Sequence, residues 1–259
     1  MPRLRLSPAL VLLLLGAAPV GAATITINNG LAPPNPANVI DANNSFPSDR
    51  VIVANVGCEH EVPAFCESPG APTSVELRAG GEVGDSVLVF ESSQFKLAGG
   101  SILSGPPGGG VHVLGAGGSS VVTITDGSVD ALVLFGASSA TMTGGSVPYV
   151  QVGGATMSFQ GGRIDEIQVY GGGTATVFGA SFSVDGAPVP FGAVMPDFGQ
   201  LTGTSLFGDP IDLFFTRRAF GGPGTGALVL VPEPSTALLL VCGLVNLAVK
   251  FRHRAAESH

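Results

Sequence analysis

The chain has no Trp, two Tyr, three Cys and two Lys among its 259 residues, and only 12% of it is charged. So few bases cannot build the Lys- and Arg-rich surface that phosphate backbones require, which removes nucleic acid as a partner. Long helices are excluded as well, because 39 Gly and 20 Pro break them at short intervals. Long apolar runs are confined to the two ends, and they inflate the mean hydropathy of +0.45. What remains is 45% apolar residues, too many for simple disorder. Glycine-rich, weakly charged and apolar, the chain reads as an exported all-β protein.

Both ends carry targeting features. Arg3 and Arg5 precede an apolar run over residues 9–18, and Gly21, Ala22 and Ala23 supply small residues for cleavage. Residues 1–23 are therefore expected to be a secretory signal, since the run is shorter than the roughly 20 residues a spanning helix needs. At the other end Val231, Pro232, Glu233, Pro234 and Ser235 lead into an apolar stretch over residues 237–249. Its two prolines should stop any upstream strand or helix. Lys250, Arg252 and Arg254 follow as a basic stop that would hold the C-terminus on the cytoplasmic side. The stretch is short for a transmembrane segment, but local bilayer thinning or snorkelling flanks accommodate such a length.

This tail resembles the PEP-CTERM sorting signal of exported bacterial proteins. Val231 to Ser235 match its VPEPS core, with the apolar span and basic end in the same order over about 25 residues. The resemblance implies processing by an exosortase, a membrane-embedded, transpeptidase-like protease that cuts near the motif. It further implies a bacterium that exports an exopolysaccharide. The membrane would be a partner before processing, and the cell surface or extracellular space the destination. Residues 201–204 (LTGT) and 209–212 (DPID) are similar to the closing segment of Gly-repeat proteins of that group.

Between the ends lies a body of residues 24–230, with 17 acids against six bases and hence a net charge of −11. Cys58 and Cys66 are its only cysteines, and an oxidising compartment favours a local disulfide between them. A metal site recruiting His60, Glu59 and Glu61 is the weaker alternative, and no metal is assigned.

The body repeats. Two small or turn-forming residues, one polar residue and one β-branched or aromatic residue recur, as in Gly144-Gly145-Ser146-Val147 and Gly161-Gly162-Arg163-Ile164. The second position of the motif falls at Gly81, Gly100, Gly127, Gly145, Gly162 and Ala180, in steps of 19, 27, 18, 17 and 18. Between anchors two short runs alternate apolar and polar residues, the mark of two strands per unit. The predicted fold is a parallel β-helix, or solenoid, of about 18-residue coils that bury their interior only by stacking. Met157, Phe159, Ile167 and Val169 should face that interior. A β-sandwich of hairpins is the alternative, but it demands no constant period. The expected organisation is a signal at 1–23, an N-terminal cap at 24–73, repeats at 74–190 and a C-terminal cap at 191–230. The sorting signal follows at 231–254 and a tail at 255–259. Phe214, Phe215 and Phe220 would cover the last coil.

The polar positions of the alternation carry hydroxyls: Thr123, Thr125, Ser139, Thr141, Thr143, Thr156, Ser158, Thr174 and Thr176. Val121, Gln160 and Phe178 interrupt the pattern. Strand propensity and solubility account for Thr on an exposed face. A ligand face for ice or crystalline polysaccharide, centred on Thr141, Thr143, Thr156, Thr174 and Thr176, is the sharper reading. Asp130 and Asp165 fall near equivalent turns with Arg163 close by, as carboxylates do in β-helix lyases and hydrolases. No nucleophile elbow or catalytic triad accompanies them, so neither catalytic residue nor cofactor is assigned. The expectation is a non-enzymatic surface or matrix protein associated with exopolysaccharide.

Overall fold

The computed structural model describes residues 24–28, 38–56, 70–102, 113–217 and 225–232. The signal segment, Cys58, His60, Cys66, Phe220, and the tail from Glu233 on, with Pro234, Ser235, Lys250, Arg252 and Arg254, lie outside the described residues. Among the described residues there are nineteen strands and no helix. No helix there is long and apolar enough to cross a membrane.

Alternation places one residue set inside and the next outside, and the strands then pair in two long parallel ladders. The first joins β1 (Thr24–Ile27), β3 (Arg50–Val53), β6 (Val87–Val89) and β8 (Val113–Ala116). It continues through β10 (Ala131–Phe135), β12 (Tyr149–Gly153), β14 (Glu166–Tyr170) and β18 (Pro210–Thr216). The second joins β2 (Val39–Ile40), β4 (Ser74–Arg78), β7 (Gln94–Ile102) and β9 (Val121–Val129). It goes on to β11 (Ser139–Met142), β13 (Thr156–Phe159), β15 (Thr174–Val184) and β19 (Ala227–Pro232). A short third side is made by Phe46, β5 (Glu82–Val83), the ends of β7 and β9, and bridges at Ser146 and Arg163.

The register reproduces the sequence repeat. Glu82 pairs with Ser101, Ser101 with Ser128, Ser128 with Ser146 and Ser146 with Arg163. Those steps are 19, 27, 18 and 17 residues, the spacing of the Gly anchors, which sit at the bend before the third side. A pairing that advances by one repeat is the geometry expected when each turn of the chain lies on the one before. Among the described residues antiparallel pairing is limited to the hairpins that β15 makes with β16 (Ala187–Pro188), that β17 (Phe198–Ser205) makes with β15 and β18, and one bridge at Tyr170. A sandwich built from hairpins does not fit that pattern.

The core is a set of inward rows. Val75, Phe95, Val122, Ala140, Met157, Ala175 and Leu228 form one row, alternating large and small where Met157 lies between two alanines. Leu114, Leu132, Val150, Ile167 and Phe215 form the facing one. All are buried, as are Phe159 and Val169. Ser and Thr also turn inward at one corner: Thr73, Ser93, Ser120 and Ser138, each just before a strand of the second ladder, are fully buried. Ser93 donates to the Asn55 side-chain oxygen at 2.8 Å and Ser138 to the Ala116 carbonyl at 3.2 Å. A small hydroxyl fits a tight corner where a Leu would not; Ser93 and Ser138 offset their desolvation by these bonds, whereas the Thr73 and Ser120 hydroxyls are buried without a hydrogen-bond partner among the described residues.

Three details depart from the sequence-based expectation. The sixth repeat unit leaves the stack: β15 runs on into antiparallel pairing with β17 from Gly179, with a register shift between Ala180 and Ser183 at Ser181, whose φ is 55°. The ladders also run through the two flanking segments, from β1 to β19. Phe215 is an ordinary inward residue beside Ile167, and Phe214 pairs with Glu166. Finally, Pro232 is itself the last residue of the strand it was expected to end. Strand β19 extends through Val231, opposite Phe178, and Pro232, opposite Gly179. Pro is tolerated there because it ends the last described strand of its ladder, where no strand among the described residues needs its N–H.

Candidate functional site

The outer face of the second ladder gathers the hydroxyls. Thr123, Thr141, Ser158 and Thr176 are register partners on four successive strands, and Ser139, Thr156 and Thr174 form a parallel row beside them. Strand spacing of roughly 4.8 Å sets the repeat within each row. The first row is bounded by Lys96 and Glu76 on one side and Val229 on the other. Hydrogen bonds from Lys96 and Arg78 hold the Glu76 carboxyl below its usual range, and the Lys96–Glu76 pair spans 2.8 Å. Val121 starts the second row, as an exposed apolar residue beside Ser139.

A third row begins with Thr125 and Thr143 and ends in Gln160 and Phe178. Here the hydroxyls turn back to the backbone: Thr125 donates to the Leu97 carbonyl at 3.4 Å and Thr143 to that of Ile124 at 3.5 Å. Ser158 accepts from the Gln160 amide at 3.2 Å. Of the sequence-predicted face, Thr141, Thr156, Thr174 and Thr176 are therefore brought into two regular rows, while Thr143 belongs to the third, irregular one.

The first ladder has a different outer face, one that the alternation did not reveal. Ile52, Ala54, Val113, Ala131 and Val133 are buried in two apolar clusters apart from the main core, with Leu88, Phe90, Phe135 and Tyr149 packed on them. The available signal was the unbroken apolar run of residues 131–135, since strands buried on both faces read that way. Farther along, Gln151 is 1% exposed and donates to the Tyr149 hydroxyl at 2.5 Å.

Burial pushes the Tyr149 phenol up to about 12, and burial also raises that of Tyr170. A raised folded pKa leaves stability untouched below the unfolded value of about 10 and removes it as pH climbs toward the folded one. With two Tyr and no Trp, absorbance at 295 nm reads these groups alone. Phenolate should be scarce at pH 10 in the folded protein and should form together with unfolding above pH 11. Full titration of both tyrosines near pH 10 in a still-folded protein would contradict the burial.

The two repeat carboxylates, Asp130 and Asp165, are not neighbours in register. Asp130 and Asp165 occupy one turn column, but Pro148 stands between them, so they are two strands apart. Asp165 is instead engaged by Arg163, at 2.8 and 3.2 Å. Among the described residues no group of three or more His, Cys, Asp or Glu could hold a metal ion. Compared with protein-family profiles, curated proteins and solved structures, the chain gives no match.

Proposed function

We propose that the protein is an exported, non-enzymatic component of the cell surface or extracellular matrix, sorted by an exosortase and associated with exopolysaccharide. Its body is a parallel β-solenoid of about 18-residue coils. The observation that carries this reading is the agreement between sequence repeat and strand register along the stack. Such a protein is a regular surface first, in which residues every 17 or 18 positions present one chemical row to the outside. The end of the stack supports the sorting reading. Strand β19, the last described strand of the second ladder, holds the first two residues of the VPEPS motif, Val231 and Pro232.

Processing tests it. In the producing bacterium the wild-type chain should lose its tail, while a variant with Pro232→Ala and Glu233→Ala should stay in the membrane fraction at full mass. Equal release of both would end the sorting hypothesis.

A second reading rests on the two hydroxyl rows that keep register over three and four strands. They make the second ladder's outer face a surface for ice or a crystalline polysaccharide. Thr141→Lys with Thr174→Lys should change stability by less than about 0.5 kcal/mol, because the sites face solvent. Thermal hysteresis or sedimentation with insoluble glycan, present in the wild type and lost in the double variant, would establish this face as the functional one. Their absence from the wild type would leave the rows as solvated β-surface.

A further inference from the structure

Apart from the ladders, one concavity of about 500 Å³ opens where the third side meets the β17–β18 hairpin. Its floor is apolar, made by Phe159, Ile164, Ile211 and Leu213, all buried. Its walls are polar, with Arg163 and Asp165 on one side and Asp209 and Asp212 on the other. The volume lies within the range of about 300–1,000 Å³ typical of small-molecule sites, and so does the pattern of apolar floor and few polar groups. Phe207, 60% exposed, lies in the hairpin turn against Gly161, next to the Gly162 of the lining.

Each polar group is already oriented. Asp209 accepts from the Gly162 N–H at 2.9 Å, and its own N–H donates to the Ser205 hydroxyl at 3.0 Å. Asp212 accepts from the Gln200 amide at 2.5 Å. Arg163 holds Asp165, with their side chains 72% and 46% exposed. Asp209 and Asp212 accept one donor each and Asp165 accepts two from Arg163, one per oxygen, so all three carboxylates still have lone pairs to offer to hydroxyl donors, and the guanidinium has N–H groups left for an acceptor. Three acids against one base disfavour an anionic ligand. A cation would want the carboxylates converging, whereas here each is turned to a different partner. An exposed ring beside fixed acceptors instead suits a ligand with an apolar C–H face and a hydroxyl-lined edge.

We propose that this cleft binds a neutral pyranose unit of a polysaccharide, with Phe207 stacking on the sugar face while Asp165, Asp212 and Arg163 hydrogen-bond its hydroxyls. The proposal rests on the exopolysaccharide reading above and names the sugar class and the site. It places the contact on the third side, away from the hydroxyl rows of the second ladder.

The full-length chain, purified in detergent, is titrated calorimetrically with neutral gluco-, manno- and galacto-hexasaccharides and with a hexauronate. At least one neutral hexasaccharide should bind at a concentration below about 10 mM, with the hexauronate weaker by about tenfold or more. Phe207→Ala and Asp212→Asn should each weaken the neutral sugar about tenfold at an unchanged melting midpoint, since both side chains are exposed. Thr141→Lys with Thr174→Lys should leave it unaltered. Failure of all three neutral sugars, preference for the hexauronate, or unchanged affinity in both cleft variants overturns the proposal. Co-sedimentation with the producing cells' own exopolysaccharide separates the two ideas. Wild type and cleft variants sedimenting alike would sink the cleft and keep the matrix reading. A wild type that binds a neutral hexasaccharide but never sediments would do the reverse.

Discussion

Phe159→Asp is expected to cost the protein about 4 kcal/mol or more. Phe159 is 2% exposed and sits in an inward row between Met142 and Val177. Truncating a buried Phe costs about 3–5 kcal/mol through lost transfer energy and the cavity left behind. A carboxylate adds a desolvation penalty, which it can relieve only by taking up a proton or by opening the structure to water. Because each turn contacts mainly its neighbours, the damage should spread from β13 to β11 and β15 and leave the early strands paired. Hydrogen exchange would then show fast exchange around Met142, Phe159 and Val177, with protection kept at Val51 and Val87. The control is Phe159→Leu, which keeps the site apolar and should cost about 1–2 kcal/mol. A urea midpoint that barely moves in the Asp variant would mean that the residue is not inside the stack.

How much of this was legible in the sequence depends on which face of which strand is considered. In the second ladder, strict alternation such as Thr174-Ala175-Thr176-Val177 states both faces at once, and the structure keeps it: alanine and valine in, threonines out. The anchor spacing was legible for the same reason, because the tight bend before the third side needs small residues in every turn. The first ladder was legible on one face only. Leu132 and Leu134 read as core, but Ala131, Val133 and Phe135 carry no polar contrast, so the second apolar surface they form left no periodic signal. The buried corner hydroxyls were hidden by a different ambiguity. Ser138 and Ser139 are neighbours of one residue type, yet the first faces the corner interior and the second the solvent-facing row. The cleft was half visible. Arg163 and Asp165 stood out in the repeat, whereas Asp209 and Asp212 join the same lining only because the hairpin folds back, and the Gly162–Asp209 bond across 47 residues has no local signature.

The bend glycines give the second large effect, and it separates two reasons for glycine that usually act together. Gly127, Gly145 and Gly162 are stacked at the bend, with φ of +95°, +79° and +92°. A Cβ on Gly162 would lie 2.7 Å from the Gly144 carbonyl carbon and 2.7 Å from the Gly145 oxygen. Those atoms cannot yield, because the turn below is fixed by the Arg163 N–H bonded to the Gly145 carbonyl at 2.9 Å and the Ser146 N–H bonded to that of Gly127 at 2.9 Å. Gly162→Val should therefore carry both a backbone cost of about 1–3 kcal/mol for the left-handed conformation and an overpacking cost of similar size. Together these lower the melting midpoint by roughly 10 °C in a body of this size. Gly186 offers the matched comparison, since its φ is +81° but nothing lies within 4 Å of the Cβ position. Gly186→Val should lose only the backbone part, about half as much. If both variants melt together, conformation alone dictates the glycines, and the stacking of one turn's backbone on the next is not what the repeat encodes. A clear gap between them assigns the Gly–Gly repeat to that stacking, since only there does a side chain meet the backbone of the previous turn.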